Sequence, residues 1–332
     1  MRAVVIAQYG GPEVLEVREV PDPVPGPDEV RVRVVSSALN RADLLQRAGH
    51  YPDPRRRSGD PSPEIPGLEF AGIVDHVGTR VTRWKSGDAV MGIEAGGGQA
   101  ELICVHERQL APVPSTVDVS EAAAIPEVFL TAWDALVVQG GLTSGRWALV
   151  HAGASGVGTA AIQLVRAIGA RIAVTCSAGK MQACRDLGAD VVLERSPHDW
   201  ARDAVAAVPG GFDVVLDVIG GDEVNRNLRV VATQGAIVQV GLMGGGITPI
   251  EVGLLLAKRC RWIGTTLRNR PLEQKSALTQ RFTAEVVPLF ERGLLRPVVD
   301  RHFALDEVAE AHRHMAADAN IGKIVLDVTS AV

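Results

Sequence analysis

The run His151-Ala152-Gly153-Ala154-Ser155-Gly156-Val157-Gly158 constrains the fold of this 332-residue chain more than any other feature. An apolar stretch, Ala148 to His151, leads into it. Val157, Ala160, Ala161, Leu164, Val165 and Ile168 then recur at helical spacing, and a second apolar stretch runs from Arg171 to Cys176. Strand, glycine-rich turn, amphipathic helix and strand make one βαβ unit. Further strand candidates follow with helical segments between them: Asp190 to Leu193, Phe212 to Val218, Ala236 to Gly241 and Cys260 to Leu267. Alternation on this scale predicts an α/β fold, a doubly wound parallel sheet of the Rossmann kind.

Against G-x-G-x-x-G, Gly153 and Gly158 fill the outer places and Ser155 the middle one. The outer glycines permit the tight turn and the close helix–strand contact. The small Ser155 still lets a pyrophosphate approach the amides of Gly156, Val157 and Gly158 at the helix N-terminus. A dinucleotide site is therefore expected. An NAD-preferring site carries Asp or Glu at the end of the second strand, where it binds the ribose 2′-hydroxyl. This chain has Thr175-Cys176-Ser177-Ala178 there. Without a carboxylate, the repulsion that a 2′-phosphate would meet is gone. Lys180 and Arg195, with Ser177 beside them, are placed to close on that phosphate; the alternative is that both are solvated surface charge. NADPH is the expected cofactor. The 35 glycines are an excess that such backbone-lined seats would use.

Upstream, the first ~115 residues read as β-rich: Arg31-Val32-Arg33-Val34-Val35 alternates, and turn clusters such as Pro21 to Pro27 and Gly96-Gly97-Gly98 separate short strands. After Pro297 the pattern is strand (Asp300 to Phe303), helix (Asp306 to Met315) and strand (Lys323 to Val328), which would rejoin the first domain.

A net charge of −5 and a pI near 5.9 argue against a mainly electrostatic binder of nucleic acid or anionic membrane. Apolar runs such as Leu254-Leu255-Leu256-Ala257 fall far short of the ~20 residues that cross a bilayer, and the N-terminal apolar stretch is too short for a signal peptide. A cytoplasmic protein is expected. Cys104, Cys176, Cys184 and Cys260 form no C-x-x-C pair or metal-finger spacing and read as reduced core thiols.

Ser37-Ala38-Leu39-Asn40-Arg41-Ala42-Asp43-Leu44, Pro66-Gly67-Leu68-Glu69, Ala123-Ala124-Ile125-Pro126-Glu127, the 151–158 turn, Gly241-Leu242-Met243-Gly244-Gly245-Gly246 and Asn320-Ile321-Gly322-Lys323 carry a resemblance over nearly the whole chain. The chain resembles the zinc-independent, zeta-crystallin-like quinone oxidoreductases of the medium-chain dehydrogenase/reductase superfamily, in the branch of the tumour-suppressor-inducible enzymes. The resemblance implies a GroES-like catalytic domain over residues 1–120, a Rossmann NADPH-binding domain over 121–290, and a return to the catalytic domain over 291–332. Zinc-dependent members place Cys, His and Cys on the catalytic metal; the matching places here hold Asn40, Leu68 and Glu127. No metal is expected.

The same resemblance puts Asn40 and Asp43 in the catalytic cleft, Asn40 offering amide donors to nicotinamide and substrate. It puts Thr131, Asn320 and the loop of Gly241, Leu242 and Met243 along the cofactor. Asn40 also reads as a turn or cap amide, and Asp43 as a first-turn carboxylate. Tyr51 is the candidate proton donor, or else an apolar pocket wall. Arg55-Arg56-Arg57 would steer an anionic substrate or form a solvated loop. The expected activity is hydride transfer from NADPH to a quinone or related electrophilic carbonyl. Reduction of an enal, enone or enoyl-thioester double bond is the enzymatic alternative. A crystallin-like or RNA-binding NADPH protein with little catalysis is the alternative of another class. Relatives join Rossmann edge strands, so Arg261 to Thr266 predicts a homodimer.

Overall fold

The computed structural model of the protein describes residues 1–51, 53–55, 62–195 and 199–329. Its strands are β1 (Arg2–Ile6), β2 (Leu15–Glu19), β3 (Glu29–Ala38), β4 (Glu69–Val77), β5 (Ala89–Ile93), β6 (Leu102–His106), β7 (Leu110–Pro112), β8 (Trp147–Val150), β9 (Arg171–Cys176), β10 (Val191–Glu194), β11 (Phe212–Asp217), β12 (Val231–Gln239), β13 (Arg261–Gly264), β14 (Val299–Ala304) and β15 (Lys323–Asp327). The chain forms two compact units, Met1–Glu127 with Arg268–Val332, and Val128–Leu267.

The first unit is built on a mostly antiparallel sheet, ordered β14-β15-β3-β4-β5-β7 with β6 also pairing β3. β3 is its spine. Val30, Val32 and Val34 alternate inward, each fully buried, and pack with Phe70, Val90, Leu305 and Ile324. Because β15 pairs β3 through Val325↔Ala38, the C-terminal segment delivers Lys323 beside the end of β3 and the following Leu39-Asn40 turn.

The second unit is the doubly wound sheet. All its pairings are parallel and its order is β10-β9-β8-β11-β12-β13, so the strand order reverses between β8 and β11. In such sheets the crevice at that switch point, outside the carboxyl ends of the strands, takes the ligand. The Gly156–Ala167 helix lays Ala160, Ala161, Leu164 and Val165 against the sheet, as its periodicity predicts. Two strand limits differ from the pattern by more than two residues. β12 begins at Val231 rather than Ala236, because Val231 pairs Phe212 before a register shift. β13 ends at Gly264, short of the expected Leu267, and is an edge strand with Trp262 40% exposed.

Candidate functional site

In the Rossmann unit the turn after β8 is fixed by backbone geometry. Ala152 adopts φ 55°, a left-handed conformation uncommon for a residue with a Cβ. Gly153 donates its amide to Thr175 O (2.9 Å), and a Cβ on Gly153 would lie 2.5 Å from Val174 Cβ. A Cβ on Gly158 would lie 2.4 Å from both Ala152 O and Gly153 O, so this helix start touches the preceding turn only as glycine. Ser155 is the N-cap and its Oγ accepts from Gly158 N (3.1 Å). Gly156 and Val157 open the helix, where N–H groups have no intrahelical acceptor. These are the features a pyrophosphate cradle requires, and the residues fit a nicotinamide dinucleotide.

At the far end of β9, Arg195 N donates to Cys176 O (2.9 Å) and Lys180 N to Ser177 O (3.0 Å). Ser177, Lys180 and Arg195 thus gather around one strand end, with no Asp or Glu in the Cys176–Met181 segment. On the other side of the switch point, the loop after β12 lies backbone on backbone against residues 218–221. Gly244 N donates to Ile219 O (2.7 Å) and Gly221 N to Gly245 O (3.0 Å), while Leu242 and Met243 remain exposed. Thr131 lies in the Pro126–Trp133 helix, half-buried.

A buried polar chain that sequence reading missed underlies this seat. His151 Nδ1 is 2.9 Å from Thr175 Oγ1, and His151 Nε2 is 2.8 Å from Asn227 Oδ1. Asn227 Nδ2 donates to Asp217 Oδ2 (2.9 Å), and Asp217 Oδ1 accepts from Ile219 N (2.6 Å) and Gly220 N (2.9 Å). All four side chains are at most 4% exposed.

The first unit holds a second cluster. Lys323, 3% exposed, donates through Nζ to Leu39 O (2.5 Å) and Asn40 Oδ1 (2.8 Å), and its Nζ is 2.7 Å from Glu69 Oε1. Asn40 Nδ2 donates to the same Glu69 oxygen (2.9 Å), and Glu69 Oε2 accepts from Glu127 N (2.7 Å). Asn40 therefore does not project an open amide, as the sequence suggested; protein groups hold both of its ends. Asp43, the expected cleft carboxylate, is fully buried in the first turn of the Arg41–Arg47 helix. It accepts from Asn40 N (2.7 Å) and Gly67 N (3.2 Å). Desolvation pushes its carboxyl up to about 6, outweighing the Asn40 amide and the charges of Lys323 and Arg268.

Tyr51 is half-buried; its carbonyl accepts from Arg268 Nη1 (2.7 Å) and the Arg268 guanidinium stacks 4.7 Å over its ring. Asn320 Nδ2 donates to Gly322 O (2.7 Å), closing the turn before β15. Of the three-arginine loop, Arg55 pairs with Asp53 (2.7 Å) and Glu94 (3.3 Å), which leaves it little steering charge; Arg56 and Arg57 lie outside the described residues.

Of the places corresponding to zinc ligands, Asn40 is engaged at both ends and Leu68 is apolar; beside Asn40, the Lys323 ammonium sits against Glu69. Among the described residues no group of three His, Cys, Asp or Glu could hold a metal ion. None of their helices is long and apolar enough to cross a membrane.

Comparison with known proteins agrees with both units. Residues 26–115 match the alcohol dehydrogenase GroES-like domain and residues 187–326 the zinc-binding dehydrogenase family. A quinone oxidoreductase of Pseudomonas aeruginosa is 36% identical, the match covering 98% of this chain and 99% of that protein. The crystal structure of human synaptic vesicle membrane protein VAT-1 homolog-like protein superposes with a TM-score of 0.87 at 29% identity, covering 100% of this chain and 99% of that one. That of CurK enoyl reductase does so at 0.86 and 26%, covering 98% of each. With a GroES-like unit, a six-stranded Rossmann sheet and full-length relatives of this kind, the chain belongs to the medium-chain dehydrogenase/reductase superfamily, among the relatives of its quinone oxidoreductases, and is an oxidoreductase of that superfamily.

Proposed function

We propose that this protein is an NADPH-dependent quinone oxidoreductase that works without a metal. The observation that carries this reading is the Lys323–Glu69–Asn40 cluster, which engages the amide of Asn40, one of the three places of the zinc ligands, and sets a buried ammonium beside it, while the other two places hold Leu68 and Glu127. With no Lewis acid built into the site, a hydride acceptor must be electrophilic by itself. A quinone meets that condition, because the charge it gains is delocalised over its ring. The bound nicotinamide supplies the hydride. The chain's own work is positioning and exclusion of water. Gly153, Ser155, Gly156, Val157 and Gly158 hold the pyrophosphate, and Ser177, Lys180 and Arg195 the adenosine phosphate. Thr131, Asn320 and the loop of Gly241, Leu242 and Met243 lie along the nicotinamide half. Asn40 serves the nicotinamide and substrate through the turn on which it sits, its side-chain amide being held by Lys323 and Glu69. Asp43, sealed on two backbone amides, sets the turn that carries Asn40 and donates no proton to substrate. Tyr51 is the phenol available for that task.

The 36% identity to a quinone oxidoreductase supports the acceptor class. The likeness to an enoyl reductase supports a second reading, reduction of an enone or enoyl-thioester double bond. Initial rates of NADPH oxidation with a 1,4-quinone, a 2-alkenal and an enoyl thioester separate the two. The quinone is expected to react fastest, NADPH to outrun NADH, and chelator to leave the rate unchanged. Faster turnover of the thioester, or activity lost to chelator and restored by zinc, refutes the proposal. The protein is also proposed to be a homodimer joined at β13, which the exposed Trp262 on an edge strand supports.

A further inference from the structure

The chain of side chains beneath the Rossmann turn has a direction that its donors and acceptors dictate. Asp217 is a carboxylate taking two backbone amides on one oxygen, so its other oxygen accepts from Asn227 and the Asn227 amide nitrogen must face it. The Asn227 oxygen then faces His151 Nε2, which must carry a proton to donate. His151 Nδ1 is left with a lone pair, and the Thr175 hydroxyl donates to it. The sequence is Thr175 O–H to His151, His151 N–H to Asn227, Asn227 N–H to Asp217, with every group buried. Trp200 packs edge-on against the imidazole at 4.9 Å and closes it from the side.

The ends of this chain lie at different parts of the cofactor seat. Thr175 also receives Gly153 N on its carbonyl, so the first end is the pyrophosphate turn. Asp217 holds Ile219 and Gly220; Ile219 O in turn accepts from Gly244 N, and the adjoining Gly221 N donates to Gly245 O, both in the loop after β12. The second end is the glycine loop of the nicotinamide half. We infer that His151, through Asn227 and Asp217, is a positioning residue that holds the pyrophosphate turn and the nicotinamide-side loop in register, so that a dinucleotide meets both at once. This rests on the nucleotide-binding reading of the site, but not on the identity of the acceptor. His151 touches neither cofactor nor substrate. Its effect is the preorganisation of two loops, which an uncoupled pair would have to order on binding.

The test is a pair of binding measurements on the full chain, well below its melting temperature. NADPH is titrated by its fluorescence, and 2′,5′-ADP, which brings one phosphate to the pyrophosphate turn but lacks the nicotinamide half, by calorimetry. His151→Phe keeps the ring against Trp200 and removes both hydrogen bonds; it is expected to weaken NADPH at least about tenfold and 2′,5′-ADP by less than about twofold. His151→Gln, which offers Asn227 a donor and Thr175 an acceptor, is expected to return NADPH binding to within about threefold of wild type. A merely structural role would move both ligands together. Thr175→Val, which deletes only the hydroxyl, repeats the test should His151→Phe fail to fold, and is expected to show the same split. NADPH affinity unchanged in both variants, or an equal loss for the two ligands, overturns the inference. A wild-type protein that binds neither NADPH nor NADH instead defeats the nucleotide reading itself, and the relay falls with it.

Discussion

Removing the ammonium of Lys323 tests whether its cluster is held together by charge. In Lys323→Met a side chain of similar length fills the space, but Glu69, fully buried, loses the cation that neutralises it. What stays with that carboxylate is the Glu127 amide on one oxygen and the Asn40 amide on the other. Breaking a buried ion pair from one side costs about 3–5 kcal/mol, most of it the penalty of the stranded charge. At roughly 2–4 °C per kcal/mol for chains of a few hundred residues, the melting temperature should fall by about 6–20 °C. Neutralising the stranded group should then help. In Lys323→Met/Glu69→Gln the oxygen of the introduced side-chain amide can still accept from Glu127 N, and Asn40, freed from the lysine, can turn its own oxygen toward the new NH2 group. The double variant is therefore expected to regain at least about half of the loss, although it carries more mutations. Scanning calorimetry of wild type, both single variants and the double variant gives the coupling directly. A double variant that melts below Lys323→Met would show that the pair is not coupled by charge, and the account of Asn40's orientation would go with it.

Two further outcomes follow from burial. His312 is fully buried and desolvation, aided by Arg47, pushes its imidazole down to about 3, so the unfolded chain takes up a proton below about 6.5 that the native one refuses. Stability from this group is present above 6.5 and lost as pH falls towards 3, whereas that from Asp43, raised to about 6, is present below 3.8 and lost as pH rises through 6. Between 3.8 and 6 the two slopes oppose, so the stability gap between wild type and His312→Gln should move in the variant's favour as pH drops from 7 to about 4.5; parallel denaturation curves across that range would contradict the burial argument. For the assembly, light scattering at micromolar concentration should give twice the chain mass and Trp262→Asp should halve it; a wild-type monomer would rule out the edge-strand dimer.

The Rossmann unit was legible because its signals are local. Helical recurrence from Val157 to Ile168, a glycine turn and apolar strands each lie within a few residues, and the glycines at 153 and 158 stand where a Cβ would strike backbone or Val174. The clusters that orient the site were not legible, for a physical reason. A lysine reads as surface because burying its ammonium is costly, and only the convergence of Leu39 O, Asn40 Oδ1 and Glu69 Oε1 makes position 323 tolerable. Nothing within ten residues of Lys323 announces those partners. His151, Asn227 and Asp217 are likewise brought together by the parallel order of β8 and β11, not by spacing. The Asn40-x-x-Asp43 pattern was readable in both of its senses, as a catalytic pair and as a helix start. The structure gives it the helix-start geometry, Asn40 N on Asp43, and adds what sequence lacked: the Asn40 side chain is turned onto Lys323 and Glu69. A group held on both sides cannot reorient to suit different acceptors. The orientation of Asn40 is set by the fold of the first unit, through the pairing of β15 with β3 that delivers Lys323, rather than by anything local to residue 40.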